Sequence, residues 1–231
     1  MREIIFDTET TGLDFRADRI IELGALELID HFPTGRSLHL YINPQGKAVH
    51  PDALAVHGIT DAFLADKPAF PDVADRIVEF FAGATLIAHN ATFDISFINA
   101  EFARIDLAPV EREQILDTLV LARRRHPMGP NSLDALCRRY GIDNSHRTKH
   151  GALLDAELLA EVYIEMIGGR QTALGLDVTV AGSSGSIDVE LEVTAYSRPR
   201  PLPPRLTPEE LAAHERLVAR LGQNALWRML R

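Results

Sequence analysis

The chain has 231 residues, of which 46% are hydrophobic and 25% charged, so it is long enough for one domain of about 150–200 residues and an extension. Its net charge of −9 argues against a protein that coats nucleic acid electrostatically, because such binding requires Lys and Arg to neutralise phosphates. No apolar run reaches the ~20 residues that span a bilayer, no leader opens the chain, and the single Cys137 excludes an internal disulfide, so a reducing cytoplasmic location without membrane contact is predicted.

Three apolar runs near the start predict strands that pair as an antiparallel meander. Residues 2–7 and 20–30 suit buried strands, and in residues 36–43 apolar and polar side chains alternate, as in a sheet with one wetter face. The next segments alternate between helices and strands, which implies parallel crossovers. They are a helix at 71–82, a strand at 84–88, a helix at 92–104, a strand at 114–118 and helices at 132–140 and 152–167. The predicted fold is α/β, a mixed five-stranded sheet flanked by helices.

The composition changes after residue 168 and predicts a tail outside the sheet. Glycine and serine fill residues 182–186, and five prolines follow at 199–208, which is typical of a linker that is flexible first and stiffer later. Alternating apolar residues at 178–195 leave an ordered strand open as an alternative. An amphipathic helix is predicted from Pro208 onward, and it either folds back or docks on a partner. The chain therefore divides into residues 1–168, a linker at 169–207 and a segment at 208–231.

Two carboxylates stand at the end of the first predicted strand. Asp7 and Glu9 are two residues apart, so both project to the same face as Ile5. Two negative charges at the end of a buried strand are costly unless cations compensate them, and Mg²⁺ prefers such oxygen ligands. The alternative is that the strand has ended and the pair is solvated.

Two further acids and a histidine come from distant segments. Asp94 enters the first turns of a helix, where the helix dipole alone favours an acid. Asp155 lies on the apolar face of the helix at 152–167, opposite three glutamates, and an unpaired charge aimed at the interior is strongly disfavoured. A capping or dipole role is the alternative for Asp155. His150 precedes this helix, so its imidazole can reach the same site.

The spacing of these residues resembles the three motifs of the DEDD exonuclease superfamily, in its histidine branch. The motifs are Asp7-x-Glu9, Asn90-x-x-Phe93-Asp94 and His150-x-x-x-x-Asp155. Residues 1–168 are also similar to the proofreading epsilon subunits of bacterial DNA polymerase III, through residues 7–13, 56–60 and 89–91. The resemblance implies a ribonuclease H-like fold, in agreement with the predicted order of antiparallel and then parallel strands.

The resemblance implies a 3′-to-5′ exonuclease that uses two divalent cations, Mg²⁺ or Mn²⁺, to remove terminal nucleotides from DNA. Asp7 is expected to bridge the cations, Glu9 and Asp155 to complete the first site, and Asp94 to support the second. His150 is expected to take the proton from the attacking water.

The same resemblance implies a set of residues that bind the terminal nucleotide. For Leu13 and Phe93 a place in the core is the alternative. Arg147 and Lys149, next to His150, are candidates to attract the incoming strand, although a solvated loop is the simpler interpretation for both. The expected nucleotide-binding residues are Thr8, Thr10, Gly12, Leu13, His57, Asn90 and Phe93.

The tail resembles binding segments of the same family. Residues 171–176 are similar to the peptide that epsilon subunits offer to the sliding clamp, although Leu176 replaces the usual terminal aromatic. Residues 212–228 resemble the region that holds the catalytic subunit of the polymerase, which implies a place in the replication machinery at the nucleoid. Two alternative functions stay open, a free-standing exonuclease for RNA or oligonucleotides and a structural bridge between polymerase and clamp.

Overall fold

The computed structural model describes residues 1–145, 147, 149–168 and 207–221. The chain divides into two compact units, Met1–Asp177 and Val178–Arg231. Among the described residues, the sheet and its helices belong to the first unit and one further helix belongs to the second. The three-part division at residues 168 and 207 stays a prediction.

The first unit is built on a mixed five-stranded sheet. Its strands are β1 (Arg2–Thr10), β2 (Ile20–Ile29), β3 (Phe32–Tyr41), β4 (Thr85–Ala88) and β5 (Ile115–Asp117), in the order β3-β2-β1-β4-β5. The first three strands are antiparallel neighbours, whereas β4 runs parallel to β1 and β5 runs parallel to β4. The predicted fold class, an antiparallel meander followed by parallel crossovers, is confirmed.

Helices connect and cover these strands. They are α1 (Pro51–His57), α2 (Asp61–Leu64), α3 (Phe70–Phe81), α4 (Ala91–Ala103), α5 (Thr118–Arg125), α6 (Leu133–Tyr140) and α7 (Ala152–Ile167), with a 3-10 turn at Arg112–Gln114. The helices α1, α2 and α5 were not predicted. α1 and α2 have seven and four residues, too few for a helical period to repeat, and in α5 the apolar residues and the arginines stand in two separate blocks, TLVLA and RRR, without a helical period.

Alternation along β1 separates two cores. Ile4 and Phe6 pack in a cluster with residues of α3 and α4, whereas Ile5 packs with residues of α7 on the other face of the sheet. Because side chains alternate, Asp7 and Glu9 continue the row of Ile5 toward α7. The strand extends to Thr10, beyond its predicted end at residue 7, because Glu9 and Thr10 still pair with β2. The pair therefore lies within a paired strand.

The first turn of α7 lies directly on β2. A Cβ atom on Gly24 would lie 2.2 Å from the backbone nitrogen of Leu153, so only glycine permits this approach. Glu22 Oε2 accepts a hydrogen bond from the amide of Ala152 at 3.2 Å, which satisfies one of the free donors at the start of the helix. These two β2 residues thus determine how deeply the start of α7 is seated.

The second unit contains α8 (Pro208–Leu221), which begins at the predicted proline. Thr207 and Glu210 form a reciprocal capping box, in which the amide of Thr207 donates to Glu210 Oε2 at 2.8 Å and the amide of Glu210 donates to Thr207 Oγ1 at 3.3 Å. The predicted clamp peptide at 171–176, the possible strand at 178–195 and the end of the final segment at 222–231 lie outside the described residues. No helix in the described ranges is long and apolar enough to cross a membrane.

Candidate active site

A cavity of about 250 Å³ lies where β1 ends and where α4 and α7 begin. The three elements meet here because β4, which leads into α4, runs parallel to β1, and because α7 is seated on β2. The cavity brings together the five predicted catalytic residues, which are Asp7, Glu9, Asp94, His150 and Asp155.

Asp94 is held from the β1 side. The amide and the hydroxyl of Thr8 both donate to Asp94 Oδ1, at 3.1 and 2.7 Å, and the Asp94 side chain is buried. Thr8 points to the α4 face of the sheet, opposite to its neighbours Asp7 and Glu9. The end of β1 therefore supplies the carboxylates of Asp7 and Glu9 on one face of the sheet. On the other face it supplies Thr8, whose hydrogen bonds fix the carboxylate of Asp94.

Asp155 is held by an arginine. Arg147 donates from Nε to Asp155 Oδ1 at 2.5 Å and from Nη2 to Asp155 Oδ2 at 2.7 Å, a bidentate pair, and its Nη1 donates to Asp134 Oδ1 at 2.7 Å. The side chain of Arg147 is only 7% exposed. The expectation of a solvated loop at this position, or of a residue free to attract a strand, is therefore wrong for Arg147.

The donor atoms fit a hard divalent cation. Ligand atoms of Glu9, His150 and Asp155 all lie within 4.8 Å of one another, a distance that one ion can bridge. Carboxylate oxygens are the ligands that Mg²⁺ and Mn²⁺ prefer. His150 is half-exposed, and its Nδ1 lies 3.2 Å from Asp155 Oδ2 and 2.7 Å from Arg147 Nη2.

The pKa values of the carboxyl groups record the crowding of negative charge. Burial raises the pKa of Glu9 to about 8, and the charges of Asp155 and Glu22 act in the same direction. Burial raises the pKa of Asp94 to about 7, although the hydrogen bonds from Thr8 oppose it. Loss of hydration, together with the neighbouring carboxylates, also raises the pKa of Asp7 well above its ordinary value.

Asp155 behaves in the opposite way. Burial acts to raise its pKa, but the hydrogen bonds from His150 and Arg147 and the charge of Arg147 outweigh burial and lower it. The charged form of Asp155 is therefore stabilised by the protein itself, whereas the other three carboxylates are short of positive charge. A site with this imbalance is suited to bind cations.

The predicted nucleotide-binding residues fall into separate places. Thr8, Asn90 and Phe93 line the cavity with the carboxylates. Gly12 and Leu13 instead line a neighbouring cavity, bordered by residues of α1, and Leu13 is 84% exposed, which excludes the core alternative for this side chain. Phe93 is partly buried and packs against the α3–α4 core.

Thr10, Gly12 and His57 have close neighbours within the chain. The hydroxyl of Thr10 donates to the Gly12 carbonyl at 2.6 Å, and a Cβ on Gly12 would lie 2.4 Å from Asp18 Oδ2. His57 is 6% exposed and its Nδ1 accepts from the amide of Ile59 at 3.0 Å. Burial lowers the pKa of His57, and its Nε2 has no hydrogen-bond partner among the described residues.

His89 is a satisfied structural residue on the wall of the cavity. Its Nδ1 lies 2.9 Å from the Thr118 hydroxyl and its Nε2 lies 2.9 Å from the Asn131 carbonyl. These bonds join the end of β4 to α5 and to the loop before α6. Cys137, the single cysteine of the chain, is free and its side chain is buried.

The contacts that two residues make with the carboxylates and with α7 were not predicted. Arg147 comes from a loop without periodicity, so only its spacing of three residues from His150 hinted at a shared location. Glu22 is a buried acid inside the apolar strand β2, directly opposite Glu9 in the sheet register, and that break in the apolar run is a signal in the sequence.

Comparison with known proteins gives consistent matches. The model of a family described as Exonuclease matches residues 4–163. The chain is 44% identical over 239 residues to the DNA polymerase III subunit epsilon of Salmonella typhimurium strain LT2, covering 98% of this chain and 97% of the relative. It is 51% identical over 177 residues to the subunit of the same name from Rickettsia felis, covering 75% and 77% of the two chains.

Among solved structures, the chain is similar to "Exonuclease X in complex with 5' overhanging duplex DNA". The TM-score is 0.56 with 29% identity, and the match covers 73% of this chain and 91% of the other. The matched part corresponds in extent to the unit that contains the sheet and the cavity.

Proposed function

The chain belongs to the exonuclease family and, within it, to the DNA polymerase III epsilon subunits, and from this premise we propose that it is a metal-dependent 3′-to-5′ proofreading exonuclease. It hydrolyses the phosphodiester of the terminal nucleotide of DNA and releases that nucleotide. One observation carries this proposal: four carboxylates and a histidine from three separate segments line one cavity, and three of the carboxylates have raised pKa values.

Mg²⁺ or Mn²⁺ is the proposed cofactor, bound as two ions by Asp7, Glu9, Asp94 and Asp155. When bound, such cations supply the positive charge that neutralises the phosphate and lowers the pKa of water. The chain contributes orientation: Thr8 fixes Asp94, and Arg147 with the seating of α7 fixes Asp155. The roles of individual residues as bridging or terminal ligands are part of the proposal.

His150 is the proposed general base. If its hydrogen is on Nδ1, that nitrogen donates to Asp155 Oδ2, and Nε2 remains free to accept the proton of the attacking water. The contact of Arg147 Nη2 with the same Nδ1 requires the opposite tautomer. Proton abstraction therefore requires Arg147 to release His150, which is possible because the imidazole is half-exposed.

The terminal nucleotide is proposed to enter between the cavity and the neighbouring cavity lined by Gly12 and Leu13. Thr8, Asn90 and Phe93 would contact it on the carboxylate side, and the exposed Leu13 would present apolar surface to a base. Thr10 and His57 would act behind this surface, through the backbone around Gly12 and the end of α1.

The partners follow from the family. We infer that residues 208–231 bind the catalytic subunit of the polymerase and that residues 171–176 bind the sliding clamp, in the cytoplasm where the chromosome is replicated. The match to the Salmonella typhimurium subunit covers 98% of this chain and so includes the tail, which supports a polymerase subunit over a free-standing exoribonuclease or oligonucleotide exonuclease. The cavity with its full set of carboxylates supports catalysis over a purely structural bridge.

The test measures shortening of 5′-end-labelled substrates. These are DNA strands with a free or a blocked 3′ end, primers with a matched or a mismatched terminus, and RNA strands. Shortening from free 3′ DNA ends in Mg²⁺, arrest by EDTA and faster removal of a mismatched terminus are expected. Asp7→Asn and Asp155→Asn should reduce the rate to background, whereas Asp75→Asn, an exposed acid on α3, should leave it unchanged. Shortening of strands with blocked 3′ ends, or near-normal rates in the two cavity variants, would contradict the proposal.

A further inference from the structure

Positive charge is concentrated in one part of this acidic chain. Residues 118–149 contain seven Lys or Arg residues and only two acidic residues, although the whole chain carries a net charge of −9. This segment runs from the end of β5 through α5 and α6 to the loop that carries Arg147. The rest of the chain is accordingly more acidic than the total suggests.

Five of these residues are arginines at the C-terminal ends of α5 and α6, and we call this set the arginine face. They stand in the last turns of α5 and α6, all are exposed, and among the residues with described positions no carboxylate lies within 4.0 Å of any of them. By contrast, Arg2, Arg19, Arg36 and Arg147 each pair with a carboxylate. The arginine face consists of Arg123, Arg124, Arg125, Arg138 and Arg139.

Two members of the arginine face, Arg139 and Arg123, lie near the cavity that holds the carboxylates, whereas Arg125 donates to the carbonyl of Met166, at the other end of α7 from Asp155. Arg139 Nη2 donates to the Pro130 carbonyl at 3.2 Å, and the next carbonyl, that of Asn131, is the partner of His89 on the cavity wall. Arg123 acts on His89 from the other side: burial is the main cause of the lowered pKa of His89, and the charge of Arg123 adds to it. The two helix ends therefore converge on one wall of the site.

Helix electrostatics explain only part of this arrangement. A basic residue in the last turn of a helix is favourable by about 0.3–1 kcal/mol, and the effect is confined to that turn. It favours each of the five arginines, since all of them stand in a last turn, but it does not account for the near absence of acidic residues from the whole segment 118–149. A surface of unpaired guanidinium groups beside a site for a phosphodiester is complementary to the charge of a nucleic-acid strand.

We propose that the arginine face binds the phosphate backbone of the DNA strand behind its 3′ end, without regard to sequence. This inference rests on the proposed function, because the strand reaches the arginine face only when its end occupies the cavity. Guanidinium groups bind phosphate oxygens in bidentate fashion, and such contacts position a strand but do not read its bases. The proposed contact would hold the substrate between successive cleavages despite the acidity of the chain.

The test compares a long substrate with a minimal one in the full-length chain. Arg123→Gln and Arg139→Gln are measured on a 20-nucleotide single strand and on the nitrophenyl ester of thymidine 5′-monophosphate, which has no upstream phosphate. Each variant should raise KM for the strand by about fivefold, reduce the dependence of log KM on log salt by about 0.7, and leave kcat and all constants for the ester unchanged. Arg76→Gln, an exposed arginine on α3, is the matched control.

Two outcomes would overturn the proposal. Equal losses on the ester and on the strand would mean that the arginines act on the carboxylate site itself, and unchanged constants on both would assign the arginine face to an acidic protein partner or to solvent. Failure of the unmodified chain to hydrolyse either substrate would instead contradict the proposed function. A binding measurement separates failure of this proposal from failure of the proposed function. Fluorescence anisotropy follows the binding of a strand whose terminal phosphorothioate resists hydrolysis, and the variants should bind this strand more weakly than the unmodified chain.

Discussion

Four carboxylates at one end of a sheet repel one another, and the chain reduces that repulsion in two ways. Glu9 and Asp94 keep protons to an unusually high pH, and Asp155 receives the guanidinium of Arg147. Both devices are local substitutes for a cation. A bound cation would displace the protons from the carboxyl groups, so metal binding and proton release are coupled at this site.

The protonation of Glu9 predicts how stability depends on pH in metal-free buffer. The pKa of Glu9 rises from 4.5 to about 8 on folding, so the folded chain binds the additional proton between these values. The associated stability is fully present below pH 4.5 and is lost as the pH rises to about 8. In EDTA the melting temperature should fall across this range, and Glu9→Gln should flatten the fall. Parallel melting curves for the variant and the unmodified chain would contradict the assignment, and saturating Mg²⁺ should flatten the curve of the unmodified chain.

His150 can act as a base or as a ligand, and one variant distinguishes the two roles. His150→Ala should lower kcat by about 10²- to 10⁴-fold, the usual contribution of a general base, with little change in the Mg²⁺ concentration for half-maximal thermal stabilisation. The control substitution is His126→Ala. The Nε2 atom of His126 lies 2.6 Å from the hydroxyl of Tyr140, and this histidine does not line the cavity with the carboxylates. A large loss of metal affinity in the His150 variant would identify the imidazole as a ligand.

At the scale of elements, β2 determines the position of α7. Gly24 permits the close approach of α7 to β2. Glu22 Oε2 accepts a hydrogen bond from the amide of Ala152, and Glu22 Oε1 lies 2.7 Å from His39 Nε2. Glu22 is 2% exposed, so these bonds are shielded from water. Asp155 lies one turn into α7, and any displacement of the helix start is passed on to the catalytic cavity.

Removal of the Glu22 carboxylate should therefore affect stability and turnover together. Glu22→Ala is expected to cost about 1.5–3 kcal/mol in urea unfolding and to lower kcat on the thymidine ester, whereas Glu22→Gln, which keeps an acceptor, should retain more of both. Glu27→Ala is the control, because Glu27 is a buried β2 acid that pairs with Arg2 and Arg36. It should lower stability without changing kcat, and a similar loss of kcat in both alanine variants would show that Glu22 has no specific positioning role.

At the scale of the whole molecule, the described residues that line the cavity with the carboxylates all belong to the first unit. All five predicted catalytic residues lie within the range matched by the exonuclease family. Helix α8 presents Leu211, Leu217 and Leu221 as exposed side chains, and their spacing gives the helix one apolar side. These features support a separation of catalysis from attachment.

A chain that ends after Gly168 should hydrolyse single strands within about twofold of the full-length rate, because a domain with its own core folds alone. It should lose retention by the catalytic subunit of the polymerase in pull-down experiments. In the full-length chain, Leu211→Glu with Leu217→Glu should abolish retention and leave hydrolysis intact. Loss of hydrolysis in the truncated chain would make residues 169–231 part of the nuclease.

The sequence by itself determined those features that depend on one segment. Alternation along β1 predicts that Asp7 and Glu9 share a face, and the helical period of α7 predicts that Asp155 points inward, because both periods are properties of the local backbone. The order of strands and helices likewise predicts a mixed sheet with parallel crossovers. The helix α1 escapes this reasoning because it ends before a period can repeat, and α5 escapes it because its apolar and basic residues stand in separate blocks.

Only the tertiary structure decided which residues surround those carboxylates. Arg147 pairs with Asp155, Glu22 accepts a hydrogen bond from the first amide of α7, and Arg139 lies beside the wall of the cavity. None of these contacts follows from a local pattern in the sequence. The contact between Glu22 and Ala152 joins residues 130 positions apart and depends on the position of α7 on β2, whereas the other two depend on the path of the loops before α6 and α7. Which of the carboxylates share a face is thus a local property, whereas their charge state and their hydrogen-bond partners are properties of the packing.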